Sequence, residues 1–155
     1  MSRTFIMKIF RGFTGSVKFG LNENENLMRP RIPRDSDPLV HEIADQWFYD
    51  KFGIKARSMT VFCTPNCHQA ATYGEAYEIT VPDTMSYQLI YSINVDDFIN
   101  IEDEIDDTKN EDEIIDWLES RDYVVLSSFD KLPIKFRGEI MLYCTHFHIK
   151  KDDEK

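Results

Sequence analysis

The stretch Gly138-Glu139-Ile140-Met141-Leu142-Tyr143-Cys144-Thr145-His146-Phe147-His148-Ile149 reads as one long strand that opens directly after a turn, with a single acidic residue at its mouth. A lone carboxylate in that position can become the electrostatic centre of a site, which makes Glu139 the first candidate for chemistry. This strand closes a series in which strands and helices mix without regular beta-alpha-beta alternation.

Upstream, Thr4 to Phe10 is apolar and aromatic enough for a first strand ended by Arg11-Gly12. Thr14 to Asp37 carries little periodicity, and a loop of that length in one domain is usually functional or mobile. Asp37-Pro38 starts a helix, since Asp suits the N-cap and Pro the first helical position, and Leu39, Val40, Ile43, Ala44, Trp47 and Phe48 recur at helical spacing up to Gly53. Further strands are expected over Ser58 to Cys63, around Tyr77, Ile79 and Val81, over Tyr87 to Val95 and over Tyr123 to Leu126. Asn66 caps a short helix that Gly74 ends, and Thr108 with Glu111 forms a capping box for a helix carrying Ile114, Ile115 and Leu118. No Gly-rich phosphate loop follows any strand. The expected class is therefore α+β, with two packed β-sheets and flanking helices, and not a doubly wound fold.

The chain has 155 residues, 42% hydrophobic and 30% charged, which is globular composition of single-domain size, and 1–155 is read as one domain. Net charge is -10, so a phosphate backbone is repelled over most of the surface and any nucleic-acid contact needs a local basic patch. Arg29, Arg31 and Arg34 form such a patch in a loop stiffened by Pro30 and Pro33, while acids concentrate from Asp96 to Glu119 and in Asp152-Asp153-Glu154. Three cysteines without framework spacing, and no basic-then-apolar leader, point to a reducing cytoplasm. No apolar run approaches a membrane span, so a membrane is not an expected partner.

Three islands in order carry more. Phe10-Arg11-Gly12 ends the first apolar run, Val61-Phe62-Cys63-Thr64-Pro65 is followed by Ala70-Ala71-Thr72-Tyr73-Gly74, and Gly138-Glu139 opens the last strand. In order and spacing they resemble the ADP-ribosyltransferase superfamily of the Arg, Ser, Glu type. The central and C-terminal segments also look like small bacterial and phage proteins. The resemblance implies an NAD cleft between two sheets and transfer of ADP-ribose from NAD to a macromolecular acceptor, in the first place a protein, or NAD hydrolysis. Nucleic acid enters only as a target of modification. It implies phosphate binding by Arg11 beside Gly12, contact with the nicotinamide ribose from Thr64, stacking on nicotinamide by Tyr73, and catalysis by Glu139 with Arg11. Arg29, Arg31 and Arg34 are open to three readings: binding of dinucleotide phosphate, binding of a target, or decoration of a mobile loop.

The chemistry agrees with that assignment. Breaking the ribose to nicotinamide bond builds positive charge on the sugar, so an ionised carboxylate stabilises the transition state more than the ground state. A diphosphate approaching an acidic protein calls for a guanidinium with fork geometry. The sequence departs from the family where its first and third serines would stand, at Cys63 and Pro65, and Arg137 occupies the place two before Glu139. Those departures sustain an alternative: a catalytically inactive member of the fold that binds a protein in a bacterial or phage-infected cytoplasm.

Two other constellations compete. Cys144, His146 and His148 share a strand face by the period of two, and Cys63, Cys67 and His68 cluster in sequence. All are acceptable zinc ligands, yet the spacing is that of no ribbon or finger, and no metal is expected. The acidic run from Ile101 to Asp116 could mimic nucleic-acid charge, though a solvated face explains it more simply.

Overall fold

The computed structural model describes residues 7–33 and 37–151. Thr4 to Ile6 of the expected first strand, Arg34 of the arginine cluster and the tail Asp152-Asp153-Glu154 lie outside the described residues. Among the described residues eight strands follow in order: β1 (Ile9–Phe13), β2 (Gly20–Glu23), β3 (Val61–Cys63), β4 (Glu75–Thr80), β5 (Gln88–Tyr91), β6 (Val124–Leu126), β7 (Ile140–Tyr143) and β8 (His146–Lys150). The α-helices are α1 (Pro38–Phe52), α2 (Cys67–Ala71), α3 (Ile101–Glu104) and α4 (Glu111–Ser120). Their mixture is α+β, with two four-stranded antiparallel sheets in the orders β1-β4-β8-β2 and β3-β7-β5-β6.

The period of two along β7 explains the layering. Ile140 and Leu142 enter a core between the sheets with Ile9, Val61, Cys63, Ile79, Leu89 and Ile149. Met141, between them, faces the other way into a core with Val40, Ala44, Trp47 and Phe48 of α1 and Ile114, Trp117 and Leu118 of α4. A strand covered on both faces has to be apolar at every position, which is why Ile140-Met141-Leu142 is an unbroken run. The second sheet is thus the middle layer, with the first sheet on one side and α1 and α4 on the other. Phe62 of β3 packs toward the helical side, between Val61 and Cys63, which face the sheets.

The long C-terminal strand expected from Glu139 onward is two strands in different sheets. It breaks at Cys144-Thr145, where the chain passes from the second sheet to the first. Asn24 holds this corner: its backbone N–H donates to Thr145 O at 2.8 Å, and its Nδ2 donates to Cys144 O at 2.9 Å and Met59 O at 3.0 Å. The break also changes the phase. Cys144 joins the core between the sheets with Phe147 and Ile149, whereas His146 and His148 alternate with those residues, so the three supposed ligands do not share a face.

Other boundaries differ for local reasons. The stretch from Thr14 to Asp37 contains β2 and a turn of 3-10 helix over Glu25–Leu27, supported by pairing with β8 rather than by any periodicity of its own. β5 stops at Tyr91 because Ser92 turns the chain, its hydroxyl accepting from Asn94 N–H at 3.0 Å. The cap of α4 is Asn110, whose Oδ1 accepts from Glu113 N–H at 3.2 Å, and not Thr108, whose hydroxyl bonds Asp37 at 3.3 Å. The caps Asp37 and Asn66 stand where the sequence places them. Among the described residues no helix is long and apolar enough to cross a membrane.

Candidate functional site

The two sheets are stitched by one bridge between β1 and the residue after β3. Phe10 N–H donates to Thr64 O at 2.8 Å, and Thr64 N–H donates to Phe10 O at 2.9 Å. Cys63 pairs with Ile140 in the second sheet, so the stitch sets Arg11, Thr64 and Glu139 around one point. Helix α2 closes the side. Ala70 O approaches Gly12 so nearly that a Cβ there would stand 2.0 Å from it, and only glycine admits this packing. On the opposite flank Gly138 lies against Val95 O, at 2.7 Å from where a Cβ would be, and Glu139 N–H donates to Asp96 O at 3.0 Å.

The result is a cavity of about 470 Å³ lined by Arg11, Gly12, Thr64, Tyr73 and Glu139, the five residues singled out in the sequence. Its size is that of a small-molecule site. Residues not singled out individually complete it, and Phe62 organises them. Arg11 Nη1 donates to Phe62 O at 2.8 Å, while the Arg31 and Arg57 guanidiniums lie over the Phe62 ring at 3.7 and 4.2 Å from its centroid. Arg57 also lies 4.0 Å over Phe98 and donates from Nη1 to Glu139 Oε1 at 3.1 Å. Asp45 of α1 anchors the Arg57-Ser58 backbone, accepting from both N–H groups and from the Ser58 hydroxyl. Of the basic loop cluster, Arg31 lines the cavity, and Arg29 does not.

Electrostatics follow from this crowding. Burial holds the Arg11 guanidinium below its ordinary pKa, with Cys63 and Glu139 working in the opposite direction. Burial, then the neighbouring charges of Arg11 and Arg57, push Arg31 down to about 9. His41, on the cavity wall, is lowered by burial first, then by Arg57 and Arg31 against the opposing effect of Asp45. Burial raises the Cys63 thiol far above its ordinary value and pushes Cys144 up to about 12, so both are neutral thiols packed as apolar groups.

Two of the expected contacts are already engaged. The Thr64 hydroxyl donates to Arg137 O at 3.2 Å and accepts from Asn66 N–H at 3.0 Å, which fixes the turn into α2. Tyr73 is about half exposed at the rim, and its hydroxyl donates to Asp97 Oδ2 at 3.1 Å. Among the described residues no group of three or more His, Cys, Asp and Glu side chains could hold a metal ion. Arg57 and Phe98 gave no sequence signal: one is a lone Arg before a strand, the other an apolar residue in an acidic segment.

No family model, no curated protein and no solved structure matches this chain.

Proposed function

We propose that the cavity takes NAD and that the protein is an ADP-ribosyltransferase-like enzyme, modifying a protein acceptor in the cytoplasm or hydrolysing NAD when no acceptor is present. One observation carries the reading: Arg11, Thr64, Tyr73 and Glu139, drawn from four separate parts of the chain, line the same cavity. In the reaction, the ribose C1′ to nicotinamide N bond breaks and its electron pair leaves with nicotinamide. The acceptor nucleophile or water bonds to C1′ and gives its proton to solvent. Glu139, oriented by Arg57, opposes the positive charge that develops on the ribose. Arg11 meets phosphate, Tyr73 offers its ring at the rim, and Thr64 acts through the backbone geometry that its hydroxyl fixes.

A second reading rests on the same contacts. With the Thr64 hydroxyl engaged and Glu139 paired to Arg57, the site binds a nucleotide without cleaving it, and the chain acts by docking on a protein. Incubating the pure protein and a cell lysate with a tagged NAD analogue separates the two: transfer of label onto lysate protein supports the transferase, whereas unlabelled lysate with intact nucleotide supports the binder.

A further inference from the structure

Among the described residues three guanidiniums and two carboxylates line the cavity, and their pairing is uneven. Glu139 is paired with Arg57, and Asp97 accepts from Ile99 N–H and the Tyr73 hydroxyl. Arg11 and Arg31 have no carboxylate bonded to them among the described residues. Their anchors are neutral: Phe62 O for Arg11, and Arg57 O and Thr60 O, each at 2.8 Å, for Arg31. Both are half-buried, and the charges of Arg11 and Arg57 disfavour that of Arg31. Two like charges brought together in a shielded place are costly unless an anion joins them. Behind them the Arg57 Nε is buried without a hydrogen-bond partner among the described residues.

We propose that Arg31 and Arg11 together form a clamp for a diphosphate group, so that the cavity selects ligands bearing a diphosphate whatever reaction follows. This deepens the reading of the cavity as an NAD site and rests on it for the identity of the natural ligand. Arg11 comes from β1 in the first sheet and Arg31 from the loop before α1, so the two approach the cavity from different elements. Each guanidinium has five N–H donors, and Arg11 uses one and Arg31 two on backbone carbonyls, which leaves donors for phosphate oxygens on both. The Phe62 ring holds the Arg31 plane in place, so little is lost in ordering it when the anion arrives.

Calorimetric titration of the full chain with inorganic pyrophosphate, ADP-ribose and adenosine tests the clamp. Pyrophosphate and ADP-ribose should each bind one to one, with affinity that falls as salt rises, and adenosine should bind at least about tenfold more weakly than ADP-ribose. Arg31→Gln should weaken pyrophosphate and ADP-ribose by about tenfold or more, and Arg31→Lys should fail to restore them because the fork is lost. The melting temperature of each variant without ligand reports whether the fold survives. Should Arg31→Gln not fold, the natural chain decides alone, since absence of pyrophosphate binding overturns the clamp. Pyrophosphate affinity unchanged in a folded Arg31→Gln also overturns it. The outcome is separable from the reaction: pyrophosphate binding without nicotinamide release leaves the clamp standing and removes the NAD-cleaving reading, and nicotinamide release without pyrophosphate binding does the reverse.

Discussion

Arg57 Nη1 stands 3.1 Å from Glu139 Oε1, and Arg57 is held there by two rings and by a backbone fixed to Asp45. The pair is largely shielded from water, with side-chain exposures of 9% and 15%, so removing one partner strands a charge. Arg57→Met should therefore lower unfolding free energy by about 3 kcal/mol or more. Urea unfolding checks this, and a loss of under about 1 kcal/mol would mean that the pair behaves as an exposed one.

Gly12 meets Ala70 O with no room for a side chain. Gly12→Ala must push α2 away from β1, at an expected cost of about 1–3 kcal/mol or more. The same shift moves the wall that carries Tyr73, so ligand affinity should fall together with stability. Thermal unfolding and NAD titration of the variant check both, and a variant with native stability and affinity would contradict the packing described.

His41 gives the site a pH dependence with a definite sign. Its folded pKa lies below the ordinary 6.5, chiefly through burial. Between the two values the unfolded chain holds a proton that the folded chain does not, so stability falls as pH drops below about 6.5 and levels off once the folded form also protonates. Above that pH His41 contributes no slope. The difference in melting temperature between the natural chain and His41→Gln, followed from about pH 8 to pH 5, should shift in favour of the variant on acidification. A constant difference across that range would contradict the assignment.

Asn24 is buried and holds the corner where β7 passes into β8. Asn24→Ala strands the carbonyls of Cys144 and Met59, each at about 1–3 kcal/mol if left without a partner. Urea unfolding should show a loss within that range or above it, and an amide-exchange map should place increased opening at 143–146. Unchanged protection there would show that the corner stands without Asn24.

The legible parts of this chain were those governed by local chemistry. Asp37-Pro38 and Asn66 announce helix starts because capping is decided by a few adjacent residues, and Tyr77, Ile79 and Val81 announce a strand because one face is apolar. The sheet change at Cys144-Thr145 was not legible, since the run on either side is equally strand-like and the residue that fixes the corner, Asn24, is 120 positions away. β2 was hidden for a similar reason, as its partner β8 supplies its stability. At the site, Arg11 and Glu139 stood at ends of apolar runs, where a charge is conspicuous. Arg57 did not, and its importance comes from Phe62, Phe98 and Glu139 meeting around it in space.

Nicotinamide release from NAD, measured side by side for the natural chain and Glu139→Gln, tests the central claim most directly. The substitution keeps the shape and removes the charge that would oppose the developing oxocarbenium, so release should fall by on the order of a hundredfold or more while the variant stays folded. Release by the natural chain at the rate of a protein-free control, or equal release by a folded Glu139→Gln, would contradict the account.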